Sequence, residues 1–374
     1  MLDTIALMLP ESDFSLCNPE RFAPHAGIIL QRSDGRGALK AIYILTPKEK
    51  LGGYKPQLTL YRLPTGAINL RVQFSAPKIV RGNNFVELTE DDKVTVLSRL
   101  NAALKGMGVI VDPNALLRAE VSKIDYSKNV LLERSTPCWL LIRALAKLDL
   151  SQRLDLSETT FRNSGQMIKY HANSYEIVIY DKVRDLEQAT IYGDKRGAEA
   201  EYIGQQNLFN RHVQKPEVLR IEIRLTRRKL KNLFKKLGIV KGFTFDSLFS
   251  ANISRAILLH YWDEIVAGLY VQELDTENVE NMIHAIHTVF PGRHPGKVTE
   301  LMGFAQASQQ LGLRGARLAL NLKPHQFHRL KKSLKMMCQH TAHPRFSILK
   351  SARKQLVTLS PVTFSNLGLI QPTL

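Results

Sequence analysis

The chain has 374 residues, of which 52 are lysine or arginine and 34 are aspartate or glutamate, so its formal net charge is +18. A hydrophobic share of 44% excludes a wholly disordered chain, and the length predicts two or three domains. The sequence pI of about 9.8 favours polyanionic partners, nucleic acid foremost.

The N-terminal segment and the longest apolar stretch predict neither a signal peptide nor a membrane span. The first ten residues contain Asp3, no basic residue and only a short apolar run. The stretch Ile253–Val271 is interrupted by Arg255, Asp263 and Glu264, which excludes a run of about 20 apolar residues. Three widely spaced cysteines without a C-x-x-C pair predict neither a disulfide framework nor a zinc site, so we expect a reducing cytoplasm.

The first 112 residues are predicted to form strands followed by a helix. In residues 68–74, apolar residues alternate with polar ones, which is the period of a half-buried strand. Residues 41–45 and 57–62 also favour strands. A helix is expected after the acidic start at residues 89–92, with an apolar side formed by Val94, Leu97, Leu100 and Leu104.

The segment up to about residue 244 repeats this plan. Its predicted strands span residues 108–111, 119–126, 175–182 and 219–225. A helix is expected from Thr136, because Pro137 suits the first turn. A basic helix, Arg227–Leu237, follows the last strand and is stopped by Gly238. From about Phe245 the pattern is mostly helical.

This order of elements predicts an α+β fold, in which curved antiparallel sheets with packed helices precede a mostly helical C-terminal region. The two successive sheet-plus-helix halves suggest a diverged duplication. We expect an N-terminal α+β half at 1–112, a second and candidate catalytic α+β half at 113–244, and a helical, basic, DNA-binding region at 245–374.

Basic residues are concentrated in two places. From Phe290 to the end there are 13 basic residues and a single acid, Glu300, and six more bases lie within residues 227–236. Such density favours phosphate contacts, and the alternative is a solvated surface that keeps a monomer soluble. The residues expected to contact DNA are Arg220, Arg224, Arg227, Arg228, Lys229, Arg329, Lys331, Lys332 and Lys335.

The basic C-terminal region also has a helical pattern. An apolar stripe within residues 327–337 follows Pro324, and residues 297–313 look helical as well. Together these segments are compatible with a helix-turn-helix unit. The alternative is a helical cap packed on the catalytic sheet with a basic outer side.

The strand at 175–182 places a phenol beside an ammonium group. Glu176, Val178, Tyr180 and Lys182 share one strand face, because side chains alternate between the two faces of a strand. A neighbouring cation stabilises phenolate, so we expect Lys182 to lower the pKa of Tyr180 and make it a nucleophile. The alternative is an ordinary edge-strand tyrosine packed over a lysine.

Acids on neighbouring strands supply a second chemical feature. Glu222 shares the polar face of its strand with Arg220 and Arg224, and Asp125 lies opposite Ile124 on its own strand. Carboxylates brought together in this way give the hard oxygen ligands that Mg²⁺ or Mn²⁺ prefers. The alternative is a set of cross-strand salt bridges.

Four short segments follow one another along the chain: Lys123-Ile124-Asp125, Phe161-Arg162-Asn163-Ser164, Ile179-Tyr180-Asp181-Lys182 followed by Asp185, and Leu219-Arg220-Ile221-Glu222-Ile223-Arg224. In this order and spacing they resemble the rolling-circle replication initiators of filamentous phages, the gene II protein family. The chain is similar, more distantly, to plasmid initiators of the Rep-trans type, whose strand reads tyrosine, any residue, lysine, and then an acid five positions after the tyrosine. Met1-Leu2-Asp3 and residues 75–84 resemble the phage family too, so the resemblance covers most of the chain.

The resemblance implies a nickase and strand-transfer enzyme. Tyr180 would attack a phosphodiester at the origin, leaving a 5′-phosphotyrosine and a free 3′-hydroxyl. Asp125 and Glu222 would hold Mg²⁺ or Mn²⁺, and Lys182 would stabilise the developing charge. Asp185 is the third candidate ligand, although the plasmid relatives carry glutamate there. Strand counting puts it on the opposite face unless the strand ends or bulges first, and Glu176, on the Tyr180 face, is the alternative acid.

The resemblance also implies partners and a compartment. The substrates would be double-stranded origin DNA and single-stranded DNA of the chain's own replicon. A host helicase, a polymerase and a single-strand binding protein would act with it in the cytoplasm of a bacterial host, with no membrane partner.

Other tyrosine and metal chemistries fit the sequence less well. Two-histidine initiators need a His-apolar-His triplet, which is absent, and the last tyrosine, Tyr270, lies too early for a tyrosine recombinase. The absence of a glycine-rich phosphate loop excludes an ATP-driven helicase. Two alternatives stay open: a non-catalytic DNA-binding replication regulator, and a metal-dependent nuclease that uses water.

Overall fold

The computed structural model describes residues 1–24, 30–31, 37–63, 65–133, 136–146, 167–187, 215–266, 271, 274, 276, 278–340 and 347–367. Its strands, in chain order, are β1 Leu2–Pro10, β2 Phe14–Leu16, β3 Phe22–Pro24, β4 Leu30–Gln31, β5 Gly37–Tyr43, β6 Gln57–Arg62, β7 Ile68–Ser75, β8 Val109–Val111, β9 Glu120–Leu131, β10 Met167–Ala172, β11 Tyr175–Asp181 and β12 Val218–Thr226.

Helices lie between the strands and make up most of the described part of the chain after β12. They are α1 Pro47–Leu51, α2 Ala76–Arg81, α3 Lys93–Gly106, α4 Pro113–Arg118, α5 Cys138–Ala146, α6 Arg227–Leu237, α7 Phe245–Leu248, α8 Ala251–Val266, α9 Val279–Val289, α10 Pro295–Ala319, α11 Pro324–His340 and α12 Ser347–Thr358. Residues 182–187 are helical as well.

One large antiparallel sheet dominates the fold, in the order β10-β11-β12-β9-β1-β7-β6-β5-β3, with β4 paired to β5. Outward from the centre, β9, β12, β11 and β10 repeat the connectivity of β1, β7, β6 and β5. In both halves the last strand runs directly into a helix, at Ser75 before α2 and at Thr226 before α6. The predicted α+β class is confirmed, and the sheet has the arrangement that a duplication would produce.

Several predicted elements need correction. The central strand β1 has six of its nine residues buried, on both of its faces, so it lacks the alternation that reveals half-buried strands. The helix α3 begins at Lys93, later than its acidic start, and buries Val96, Leu100 and Leu104 at a spacing of four. The predicted apolar residue Val94 is therefore on the outer side, where it is 76% exposed.

The apolar side chains form separate cores. The main core joins the sheet to α3, α8 and α12 and contains Tyr126, Ile257 and Leu356. The described residues within 271–338 form a core of their own, centred on Phe304 and Leu330. The separate basic helical unit therefore starts after α8, later than the predicted boundary at residue 245. Because α8 and α12 cover the apolar face of the sheet, polar side chains of its central strands collect on the opposite face.

Candidate active site on the central strands

Strand pairing brings three polar rows together on one face of β9, β12 and β11. The first row is Tyr180, Arg220 and Asn129, the second contains Glu222 and Ser127, and the third contains Glu176, Arg224 and Asp125. Directly paired residues of antiparallel strands point to the same side, so these polar groups form one cluster. The apolar residues that alternate with them face the main core.

The Tyr180 hydroxyl lies in the middle of this cluster. It donates a hydrogen bond of 3.3 Å to Glu222 Oε2, and the Lys182 Nζ is 5.6 Å from the centre of its ring. The side chain is 6% exposed, and burial raises the pKa of Tyr180 well above its ordinary value, although Arg220 opposes this effect. The prediction that Lys182 lowers this pKa is therefore wrong for the resting protein, in which the phenol is neutral. Burial in turn lowers the pKa of Lys182.

The position of Asp185 depends on where β11 ends. The strand stops at Asp181 and residues 182–187 turn into a helix. Asp185 consequently comes back toward Lys182, with its Oδ2 at 3.1 Å from the Lys182 Nζ. The same Nζ donates to Asn84 Oδ1 at 2.9 Å. Asp185 is thus an ion-pair partner of Lys182, and its role as a metal ligand stays a prediction.

Asp125 and Glu222 form a buried pair of carboxylates, each 3% exposed. Burial and then the neighbouring Glu222 raise the pKa of Asp125 to about 8. Glu222 Oε1 accepts from Arg224 Nε at 2.8 Å, whereas Asp125 Oδ1 has no hydrogen-bond partner. A buried carboxylate oxygen is rarely left without a partner. This orphaned oxygen beside a second carboxylate fits a divalent cation, since Mg²⁺ and Mn²⁺ prefer carboxylate and water oxygens.

Arg220 organises the cluster from inside the fold. Its Nη2 lies 2.8 Å from Ser127 Oγ and 3.1 Å from Asp3 Oδ1, and its Nη1 donates to Asn129 Oδ1 and to the Asn84 carbonyl, each at 3.1 Å. Only 1% of its surface is exposed. Both Nη atoms of Arg220 are thus bonded within the protein, whereas its Nε has no hydrogen-bond partner. Its contact with DNA stays a prediction.

Arg224 is the more accessible of the two arginines on β12. It joins Glu222 to Glu176, whose Oε2 lies 3.1 Å from the Arg224 Nη1, and it also lies 4.0 Å from Asp125 Oδ2. Its side chain is half-buried and belongs to the same polar face as Tyr180. Its contact with DNA stays a prediction.

Two residues of the site were not among the predicted ones. Asp3 accepts from Arg220 and from Ser75 Oγ at 3.4 Å, and Asn84 contacts both Lys182 and Arg220. The surrounding cations, with Arg220 foremost, outweigh burial and hold the pKa of Asp3 below its ordinary value. Both residues lie in segments that resemble the phage family, and that signal could have identified them.

The chain matches no family model, no curated protein and no solved structure. Function must therefore follow from the chemistry of the residues. Among the described residues, none of the helices combines the length and the apolar character needed to cross a bilayer.

The first half of the sheet provides an internal comparison. Asn69 lies as far before the capping residue Ser75 as Arg220 lies before Thr226, so the two positions are equivalent. Tyr61 on β6 pairs with Asn69 as Tyr180 pairs with Arg220, and it therefore takes the position of Tyr180. At the position of Glu222 the first half has Arg71, and at that of Asp125 it has Ala6. The tyrosine is thus repeated without the two carboxylates, so only the second half carries the proposed metal ligands.

The basic residues predicted on α6 differ in their surroundings. Arg227 forms an ion pair with Glu120, and the Lys229 Nζ lies 3.7 Å from the centre of the Tyr175 ring. Arg228 is exposed. Their contact with DNA stays a prediction.

A second group of potential metal ligands lies beyond the end of β11. One ligand atom each from Cys138, Asp181 and Glu217 lies within 4.8 Å of the others, a spacing that could hold a metal ion. Asp181 Oδ1 accepts from the Val183 and Arg184 amides, each at 3.1 Å, and Glu217 Oε2 accepts from the Cys138 amide at 2.8 Å. Burial raises the pKa of the Cys138 thiol. Each acid therefore already accepts backbone hydrogen bonds at the start of a helix, and these bonds explain the positions of Asp181 and Glu217 without a metal ion.

The raised pKa of Asp125 predicts a gain in stability when its charge is removed. In an unfolded chain this carboxyl loses its proton near pH 4, whereas the folded protein holds it up to about pH 8. Between these values folding takes up a proton, so the free energy of unfolding falls as pH rises. We expect Asp125→Asn to raise the free energy of unfolding of the metal-free protein by about 1–2 kcal/mol at pH 8 and by little at pH 4. Urea unfolding in EDTA at both pH values measures this, and a loss of stability at pH 8 would contradict it.

Proposed function

We propose that this chain is a rolling-circle replication initiator, which nicks one strand of its origin and transfers that strand through Tyr180. The observation that supports this most directly is the hydrogen bond from the Tyr180 hydroxyl to Glu222, which adjoins the orphaned Asp125 carboxylate. A potential nucleophile, a potential base and a fitting metal-ligand pair thus share one strand face. The resemblance to the gene II family points to the same residues.

The proposed reaction starts from a neutral phenol. Glu222 Oε2 accepts the hydroxyl proton as the Tyr180 oxygen attacks the phosphorus atom of the scissile phosphodiester. A bond forms between phosphorus and the tyrosine oxygen, and the bond from phosphorus to the 3′-oxygen breaks. The 3′-oxygen takes up a proton, which gives a free 3′-hydroxyl and a 5′-phosphotyrosine. Because the intermediate is itself a phosphodiester, the reverse attack by a 3′-hydroxyl joins two DNA ends.

Asp125 and Glu222 are the residues that would hold Mg²⁺ or Mn²⁺. When bound, such an ion would neutralise charge on the phosphate oxygens and stabilise the negative charge that develops in the transition state. Lys182 lies beside Tyr180 and offsets the negative charge that develops on the tyrosine oxygen and the phosphate. Asn84 and Asp185 hold the Lys182 ammonium group in position. Arg220 holds Asp3, Ser127 and Asn129 in place around this centre and acts as a positioning residue.

Entry of DNA requires a change in the protein, because Tyr180 and Glu222 are buried in this conformation. A single strand, drawn out of the duplex at the origin, reaches a narrow site more easily than a duplex does. The proposed substrates are accordingly duplex origin DNA for docking and a melted single strand for cleavage. A host helicase, a polymerase and a single-strand binding protein would use the exposed 3′-end in a bacterial cytoplasm.

The polarity of DNA attachment tests this proposal. The probe is DNA that encodes the chain together with its flanking sequence, prepared as single strands labelled at either the 5′ or the 3′ end. After incubation with Mn²⁺ and denaturation, we expect the 3′-labelled fragment to remain with the protein and the 5′-labelled fragment to be released. Cleavage with both fragments free would indicate water as the nucleophile. Binding without cleavage would favour a non-catalytic regulator.

A further inference from the structure

The basic part of the C-terminal region has a broken helical arrangement. Within α10, Gly312 has φ 76° and ψ 162°, a conformation that only glycine adopts readily. This residue divides α10 into helical residues 295–311 and 313–319. The next helix, α11, begins at Pro324. Three helices in succession are therefore joined by a one-residue break and then by a short turn.

The turn between the second and third of these helices is tightly specified. Asn321 has φ 49°, and its amide donates to the Leu318 carbonyl at 3.1 Å. The Leu322 amide donates to the Arg317 carbonyl at 3.0 Å, which completes a Schellman motif. The Gln326 side chain then accepts from the Lys323 amide at 3.0 Å at the start of α11. A rigid turn of this length between two helices is the defining feature of a helix-turn-helix unit.

The apolar residues around this turn pack the helices against one another. Ala316, Phe327 and Leu330 are buried in the separate core of residues 271–338, and Leu322 packs against them. The ring of Phe327 meets that of Phe304, from the first helix, edge to face at 6.0 Å. This region therefore has its own core, in contrast to α8 and α12, which pack on the sheet. That finding favours the helix-turn-helix interpretation over a helical cap.

The outer side of this unit is strongly basic. Residues 313–340 contain seven lysines and arginines and no acid. On α11, His325, His328, Lys332 and Lys335 are exposed at helical spacing along one face. Arg329, also exposed, forms an ion pair with Glu300 of the first helix. Arg314, Arg317 and Lys323 are exposed on the preceding helix and turn.

We propose that residues 313–340 form a helix-turn-helix unit that places the N-terminal half of α11 in the major groove of duplex DNA. His325, His328 and Lys332 face the base edges, where imidazole and ammonium groups donate to acceptors such as the guanine N7 and O6 atoms. Arg314, Arg317 and Lys323 contact the flanking phosphates. This inference rests on the proposed function only in taking DNA as the partner, since it needs neither Tyr180 nor a metal.

Binding of the full chain to a labelled 30-base-pair duplex of random sequence tests the surface. The measurement is made in EDTA, so that cleavage does not interfere, at several salt concentrations. We expect Lys332→Glu to weaken binding at least about tenfold and to reduce the slope of log affinity against log salt. The matched control is Lys354→Glu, which makes the same charge change on α12, outside the unit, and is expected to bind nearly as the unchanged protein does.

Base reading is tested separately by selecting bound duplexes from a random library. We expect a consensus whose bases change with His328→Ala but not with Arg317→Gln, which should weaken binding uniformly. Equal effects of the Lys332 and Lys354 changes, or a preference for single strands over duplex, would overturn the inference. If Lys332→Glu lost duplex binding but still cleaved single strands, the result would support the inference, because the two activities would then belong to different parts of the chain. Duplex binding through α11 without any cleavage would refute the proposed nicking activity alone.

Discussion

Replacement of Tyr180 by phenylalanine is expected to reduce nicking by at least about 10³-fold while DNA binding is retained. The change removes the attacking oxygen and leaves the ring in its buried place, so the fold should be preserved. Its hydroxyl has one described protein partner, Glu222, at 3.3 Å. Conversion of supercoiled to open-circular DNA measures nicking, and the duplex-binding assay measures binding.

The structure supplies a matched control for this change. Tyr61 occupies the equivalent strand position in the first half of the sheet, where Arg71 and Ala6 take the positions of the two acids. Tyr61→Phe should therefore leave nicking close to its original rate. If the Tyr180 variant nicked as fast as the Tyr61 variant, the nucleophile would have to be water or another residue.

Removal of either buried acid is expected to have a comparably large effect. Asp125→Asn and Glu222→Gln should each lower nicking by about 10²-fold or more, because each variant loses a carboxylate from the proposed metal site. Excess Mn²⁺ should restore little activity, since a neutral amide is a poorer ligand. Titration of Mn²⁺ against the rate separates weaker metal binding from a slower chemical step.

Glu176→Gln is the control for these two variants. Glu176 lies on the same strand face, but it is paired with Lys169 at 2.7 Å and with Arg224 at 3.1 Å. Its pKa is held below the ordinary value because those cations outweigh burial. It therefore has no free oxygen comparable to that of Asp125, and we expect a small effect. A larger loss for Glu176→Gln than for Asp125→Asn would contradict the assignment of the metal ligands.

The Asp125 variant links stability to function. In the absence of metal it should be more stable than the unchanged protein at pH 8, although it should be the less active enzyme. Two like charges held together for a ligand destabilise the fold when the ligand is absent. A structural salt bridge would behave in the opposite way, because removal of one partner would leave an unpaired buried charge.

Strands and helices with local signals were predictable from the sequence. β6 has the predicted bounds Gln57–Arg62, and α6 has the predicted bounds Arg227–Leu237. Thr226 caps the start of α6, and Gly238 ends it with φ 66°. In both elements the information lies in neighbouring residues: alternation along the strand, and caps at the helix ends.

Features that depend on distant contacts were less accessible. The central place of β1 arises from pairing with β7 and β9, and Asp3 enters the site only through that pairing. The chemistry of Tyr180 was predicted in the wrong direction, because its pKa responds more to burial than to Lys182. Strand counting correctly grouped Glu222 with Arg220 and Arg224, since the pleat alone decides which residues of one strand share a face. The pairing of β12 with β11 then brings that face to Tyr180. Strand counting left the position of Asp185 dependent on where β11 ends, and the helical turn after Asp181 decides that.

The most direct measurement is the identification of the residue that becomes attached to DNA. The protein is mixed with supercoiled DNA carrying its own coding and flanking sequence and Mg²⁺ or Mn²⁺, denatured in detergent, and digested with nuclease and protease. Mass spectrometry then locates any nucleotide on a peptide. We predict a nucleotide joined through phosphate to Tyr180. Nicked DNA with an adduct on another residue, or with none even when religation is blocked by a suicide substrate, would contradict the account.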